Sequence, residues 1–82
     1  MSDRSNYLMR LALTCQLADE RAEAEPDNRM ARNYAEAVGQ LFVDCLALPE
    51  GHPQFEGGAQ AASFALKQQS FATPEFDYPQ RQ

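Results

Sequence analysis

Residues 7–48 read YLMRLALTCQLADERAEAEPDNRMARNYAEAVGQLFVDCLAL, and the spacing of their apolar side chains decides the fold. Leu8, Leu11, Cys15, Ala18 and Ala22 recur every three or four residues, as do Met30, Tyr34, Val38, Leu41, Cys45 and Leu48. At 3.6 residues per turn each set keeps to one side of an α-helix. Between the two sets, Glu25-Pro26-Asp27-Asn28 is a short polar break that lets the second helix fold back on the first. The frame of the chain is therefore an antiparallel helical hairpin.

The first helix is expected from Asp3 or Ser5 to about Glu25, either residue serving as the cap that accepts from a free backbone amide. In projection Met9, Leu13 and Leu17 fall nearly opposite the main stripe. A helix apolar on two sides has more to bury than one neighbour covers. The second helix is expected from Asp27 or Asn28, with Pro26 in its first turn or just before it, to about Leu48, where Pro49 and Gly51 end it. With the turn centred between Pro26 and Asp27, Cys15 lies level with Val38, and Cys45 lies about 10 Å further along at 1.5 Å per residue. A disulfide needs Cα atoms within about 7 Å, so both cysteines read as small core residues of a reduced protein; a bridge between chains stays open.

Past a loop over residues 49–55, Gly57 and Gly58 lead into a third, weaker helix over about Ala59 to Phe71, anchored by Ala62, Leu66, Phe64 and Phe71. Thr73-Pro74 stops it. The fold class is all-α: a three-helix domain (residues 1–73) built on the hairpin, then an extended Pro- and aromatic-containing tail (74–82). Its expected core set is Leu8, Leu11, Cys15, Tyr34, Leu41, Phe42 and Cys45.

Eighty-two residues make one domain, which buries only about 60–65% of the surface of the unfolded chain. A core this small makes a second copy or a partner a natural part of the stable state, and a homodimer is expected. Apolar residues make up 44%, as in folded chains and not disordered tails. No apolar run approaches the roughly 20 residues that span a bilayer. The polar stretch Met1–Asn6 and the position of Arg10 speak against a cleaved secretory signal, so a soluble cytoplasmic protein is expected. Twelve Asp and Glu against seven Lys and Arg give a net charge of −5, which disfavours nucleic acid as a partner, since binding its backbone needs clustered cations.

Catalytic and metal chemistry lack their residues. The single histidine, His52, sits in a loop without the two or three further Cys or His ligands that a metal needs. The serines have no nucleophile-elbow context, and Gly57-Gly58 is not followed by the Lys-Ser/Thr pair of a phosphate loop. No cofactor is implied, and a non-enzymatic protein is expected.

One charge feature stands out. Asp19 and Glu23, with Glu20 beside them, place carboxylates about 6 Å apart along the end of the first helix. That surface suits a basic groove on a larger protein, although a short acidic run also serves simply to solvate a helix end. Phe76 and Tyr78 are the reserve anchors for a partner. The expected function is a small binding protein that modulates or inhibits a larger partner. Its style is that of the short, acidic, helical inhibitors of phages and mobile elements. The alternative is a dimeric helical adaptor or chaperone that presents an apolar groove.

Overall fold

The computed structural model describes residues 2–72, with the side chains of residues 2–69. Three helices follow in order: α1 (Asp3–Ala24), α2 (Arg29–Leu46) and α3 (Gly58–Ala72), with one 3₁₀ turn at Pro53–Phe55 before α3. The all-α three-helix architecture is thus the observed one. The tail, the 73/74 boundary, Phe76 and Tyr78 lie outside the described residues, as does the side chain of Phe71.

The helix ends follow from capping chemistry. Ser2, not Asp3 or Ser5, caps α1: its hydroxyl accepts from the Ser5 backbone N–H at 3.1 Å, so the helix starts at Asp3 with an acid against its positive end. It closes at Ala24, and the Glu25 N–H bonds back to the Arg21 carbonyl at 2.9 Å. Asn28 caps α2, its Oδ1 accepting from the Ala31 N–H at 3.1 Å while its amide donates to Glu25 at 2.8 Å. Pro26 consequently sits in the turn, three residues ahead of the helix. α2 ends at Leu46, two residues short of the expected Leu48, because Pro49 disfavours helical backbone at the residue before it. The Ala47 and Leu48 amides tighten the last turn onto the Asp44 and Cys45 carbonyls. α3 extends one residue beyond the expectation at each end.

α1 is the shared element. It packs along both α2 and α3, which touch each other little. Cys15 donates through Sγ to the Val38 carbonyl at 3.6 Å, which is the register that the turn position implies. α3 runs parallel to α1: its first residue lies against Asp3 and Asn6, and Leu66 and Lys67 share a cleft with Thr14. Gly58 is needed at this start, because its φ is +51 and a side-chain Cβ there would come within 3.2 Å of Asn6 Cβ.

The core differs from the expected set in its centre. Leu11 and Cys45 are buried as expected, together with Tyr7, Val38, Phe55, Ala62 and Leu66, whereas Leu8, Cys15, Tyr34, Leu41 and Phe42 are half-buried residues packed around them. Phe55, read as part of a loop, is 2% exposed and is among the largest fully buried side chains. The 3₁₀ turn tucks its ring edge-on against Tyr7, with centroids 5.3 Å apart. Arg4 lies 5.7 Å over the same ring, its buried Nε having no hydrogen-bond partner among the described residues. The Tyr7 hydroxyl accepts from Gln54 Nε2 at 2.8 Å. Phe64, expected as an anchor, is 64% exposed, since α3 turns Ala62 and Leu66 inward and leaves Phe64 on its outer side.

Candidate interaction surface

The outer side of α1 carries the main candidate surface. Met9, Leu13 and Leu17, spaced by four, are all exposed, so α3 does not cover the second apolar side of the helix. A step of about 100° per residue puts Glu20 on the same strip, one turn past Gln16 and Leu17, with Asp19 and Glu23 on its flank. All three acids are exposed. Glu20 accepts from Gln16 at 3.4 Å, and the neighbouring Arg21 is drawn to Glu25 at 3.5 Å. Asp19 and Glu23 therefore face solvent without a described cation against them. The arrangement is an apolar strip with an acidic head.

Two thiols flank the helix interface, and both are free. Burial pushes the Cys15 thiol up from its ordinary value, and the charge of Asp19 one turn away adds to it. Burial also raises Cys45, partly offset by a hydrogen bond from Tyr7. Thiols held protonated in this way are poor nucleophiles. His52 Nδ1 accepts from the Gln54 N–H at 3.0 Å and so caps the 3₁₀ turn. Among the described residues no group of three His, Cys, Asp or Glu is placed to hold a metal ion, and no helix is long and apolar enough to cross a membrane.

A second surface was not legible in the sequence. Arg10 of α1 and Gln60, Ser63, Phe64 and Lys67 of α3 line a groove of ≈ 400 Å³. An adjoining cleft shares Arg10, Ser63 and Lys67 and reaches Thr14 and Tyr34. Arg10 and Lys67 are far apart in the chain, and only the parallel packing of α3 on α1 brings them together. No local spacing signals that pairing.

Comparison of the chain with protein-family models, with curated proteins and with solved structures finds no match. The reading of the surface accordingly rests on its own chemistry.

Proposed function

We propose that this chain is a small, non-enzymatic cytoplasmic protein that modulates or inhibits a larger protein partner, which it meets with the outer face of α1. The observation that supports this reading is the strip Met9, Leu13 and Leu17, at 47%, 52% and 65% exposure, running into Asp19, Glu20 and Glu23. Scattered exposed apolar residues are ordinary, but three in one line on one helix make a contiguous patch of the kind that marks binding sites. The complement is an apolar groove with a basic rim at one end. Its apolar part would supply affinity and its rim would set orientation and on-rate.

The test is capture of partners by the tagged full chain from a lysate of its source cell, with Leu13→Lys and with the triple change Asp19→Asn, Glu20→Gln, Glu23→Gln. The expected result is one large partner that Leu13→Lys abolishes and that the triple change weakens, most clearly at low salt. A partner retained at full strength by both variants refutes the assignment of the surface.

The same strip favours a second reading, the dimeric adaptor. Two copies of α1 packed antiparallel about Leu13 set Met9 of each against Leu17 of the other, the self-complementary pattern of a two-fold interface. Light scattering on the purified chain decides this: a dimer that Leu13→Lys converts to monomer supports the adaptor, and a monomer at all concentrations rejects it.

A further inference from the structure

The two cations of the α1–α3 groove have no counter-charge. α3 carries a single charged side chain, Lys67, and among the described residues no Asp or Glu lines either cleft that Arg10 and Lys67 border. Neither cation makes an ion pair or hydrogen bond with another described residue. In a chain with twelve acids against seven bases, two unpaired cations on one groove make a local field opposite to that of the whole. Like charges held together in this way repel, and an anion placed between them relieves the repulsion.

Helix packing sets their spacing. α3 runs parallel to α1 with Gly58 against Asp3 and Asn6. Ser63, five residues on, therefore comes level with Arg10, and Lys67 lies one turn, about 6 Å, beyond it. Two long side chains separated by one turn can close on a single group. Half-buried Ser63 lines both clefts beside them, and half-buried Thr14 adds a second hydroxyl to the smaller one, of ≈ 260 Å³.

This donor set matches a phosphate monoester better than a carboxylate. One arginine fork satisfies a planar carboxylate and leaves the ammonium and the hydroxyl without a role. A phosphate monoester brings three terminal oxygens and a charge of about −1.5 to −2 at neutral pH, enough for guanidinium, ammonium and hydroxyl together. The larger cleft, of ≈ 400 Å³, is also bounded by Ala59 and the exposed ring of Phe64, and its volume lies at the low end of small-molecule sites. The ring supplies an apolar surface on which a flat organic body stacks.

We propose that the Arg10–Lys67 groove binds a phosphate monoester with a flat aromatic body, its phosphate held by Arg10, Lys67 and Ser63 and its ring laid on Phe64. Met9, Leu13 and Leu17 do not line the groove, so this site stands apart from the face of α1 assigned to a protein partner.

The probe is phenyl phosphate, titrated into the isotope-labelled full chain and followed by amide NMR. The expected result is a saturable set of shifts centred on Arg10, Ser63, Phe64 and Lys67, with a dissociation constant of about 1 mM or tighter. Arg10→Gln and Lys67→Gln alter exposed side chains; each is expected to weaken binding about tenfold or more while the circular dichroism spectrum stays unchanged. Phe64→Ala is expected to weaken phenyl phosphate and to leave inorganic phosphate unaffected. Benzoate is expected to bind about tenfold more weakly than phenyl phosphate. A free nucleotide and a phosphorylated tyrosine side chain both carry the proposed group, and parallel titrations with adenosine monophosphate and N-acetylphosphotyrosine amide separate them, the tighter binder naming the source. Shifts that fail to saturate by about 10 mM, that map elsewhere on the chain, or that persist in the double variant of Arg10 and Lys67 overturn the site. Benzoate binding as tightly as phenyl phosphate overturns the phosphate assignment, and an unchanged affinity in Phe64→Ala overturns the aromatic one.

Discussion

Truncation of Phe55 tests the least expected part of the core. In Phe55→Ala a side chain that is 2% exposed is replaced by a methyl group between Tyr7, Arg4 and His52. Losses for buried Phe→Ala run to about 3–5 kcal/mol, combining lost transfer energy with the cavity left behind. Within that figure the edge-on contact with Tyr7 at 5.3 Å accounts for about 0.5–1.5 kcal/mol, and the Arg4 guanidinium over the ring for about 0.5–1 kcal/mol. A domain of 82 residues holds about 4–12 kcal/mol in all, so the variant loses a quarter of its stability at the least and unfolds outright if the parent is marginal. Urea unfolding followed by circular dichroism is the assay. With a slope near 1 kcal/mol/M, the midpoint is expected to fall by about 3 M or more. The neighbouring Gln54→Ala removes only the 2.8 Å bond to the Tyr7 hydroxyl and should cost about 1 kcal/mol. A loss below about 1 kcal/mol for Phe55→Ala would mean that the ring is a solvated loop residue, and the packing argument would fail.

Three further outcomes follow from the same structure. Gly39, in the interior of α2 with nothing within 4 Å of an added Cβ, should gain about 0.5–1 kcal/mol as Gly39→Ala. Gly58→Ala should lose about 1–2 kcal/mol, since its φ of +51 and the 3.2 Å approach to Asn6 both oppose a side chain; melting temperatures of the pair report the opposite signs. Stability should also fall in alkali. Burial raises Cys15 and Cys45 above their ordinary value of 9.0 and Tyr7 above 10.0. The folded state therefore binds these protons more tightly than the unfolded one. The linked stability is complete below pH 9 and is lost as the pH climbs through the raised values. A urea midpoint that stays flat between pH 8 and pH 10.5 would contradict this. In a chain carrying Cys15→Ala and Cys45→Ala the decline should begin only near the tyrosine range.

The hairpin was readable because each helix writes its buried side into its own sequence at a period of 3.6, and because Pro26 and Asn28 mark the turn by local backbone chemistry. Its register was readable for the same reason: a four-residue break leaves little freedom, so Cys15 had to meet Val38. The exposed strip Met9, Leu13 and Leu17 and the acidic end Asp19, Glu20 and Glu23 were legible as patterns too, since both lie within one helix. The centre of the core was not. Phe55 sits in a segment without periodicity, and its burial depends on a 3₁₀ turn capped by His52 and docked on Tyr7.

Tertiary structure alone also decided which rim residues stay half-exposed, because that depends on how α2 and α3 pack on the shared α1. Phe64 and Leu66 are close in sequence and both apolar, yet only Leu66 turns inward. Arg10 and Lys67 likewise become neighbours solely through the parallel packing of α3. Local periodicity and capping act over one or two turns and are written in the residues themselves. The position of the third helix is a balance of contacts between distant parts of the chain, and no short stretch of sequence carries it.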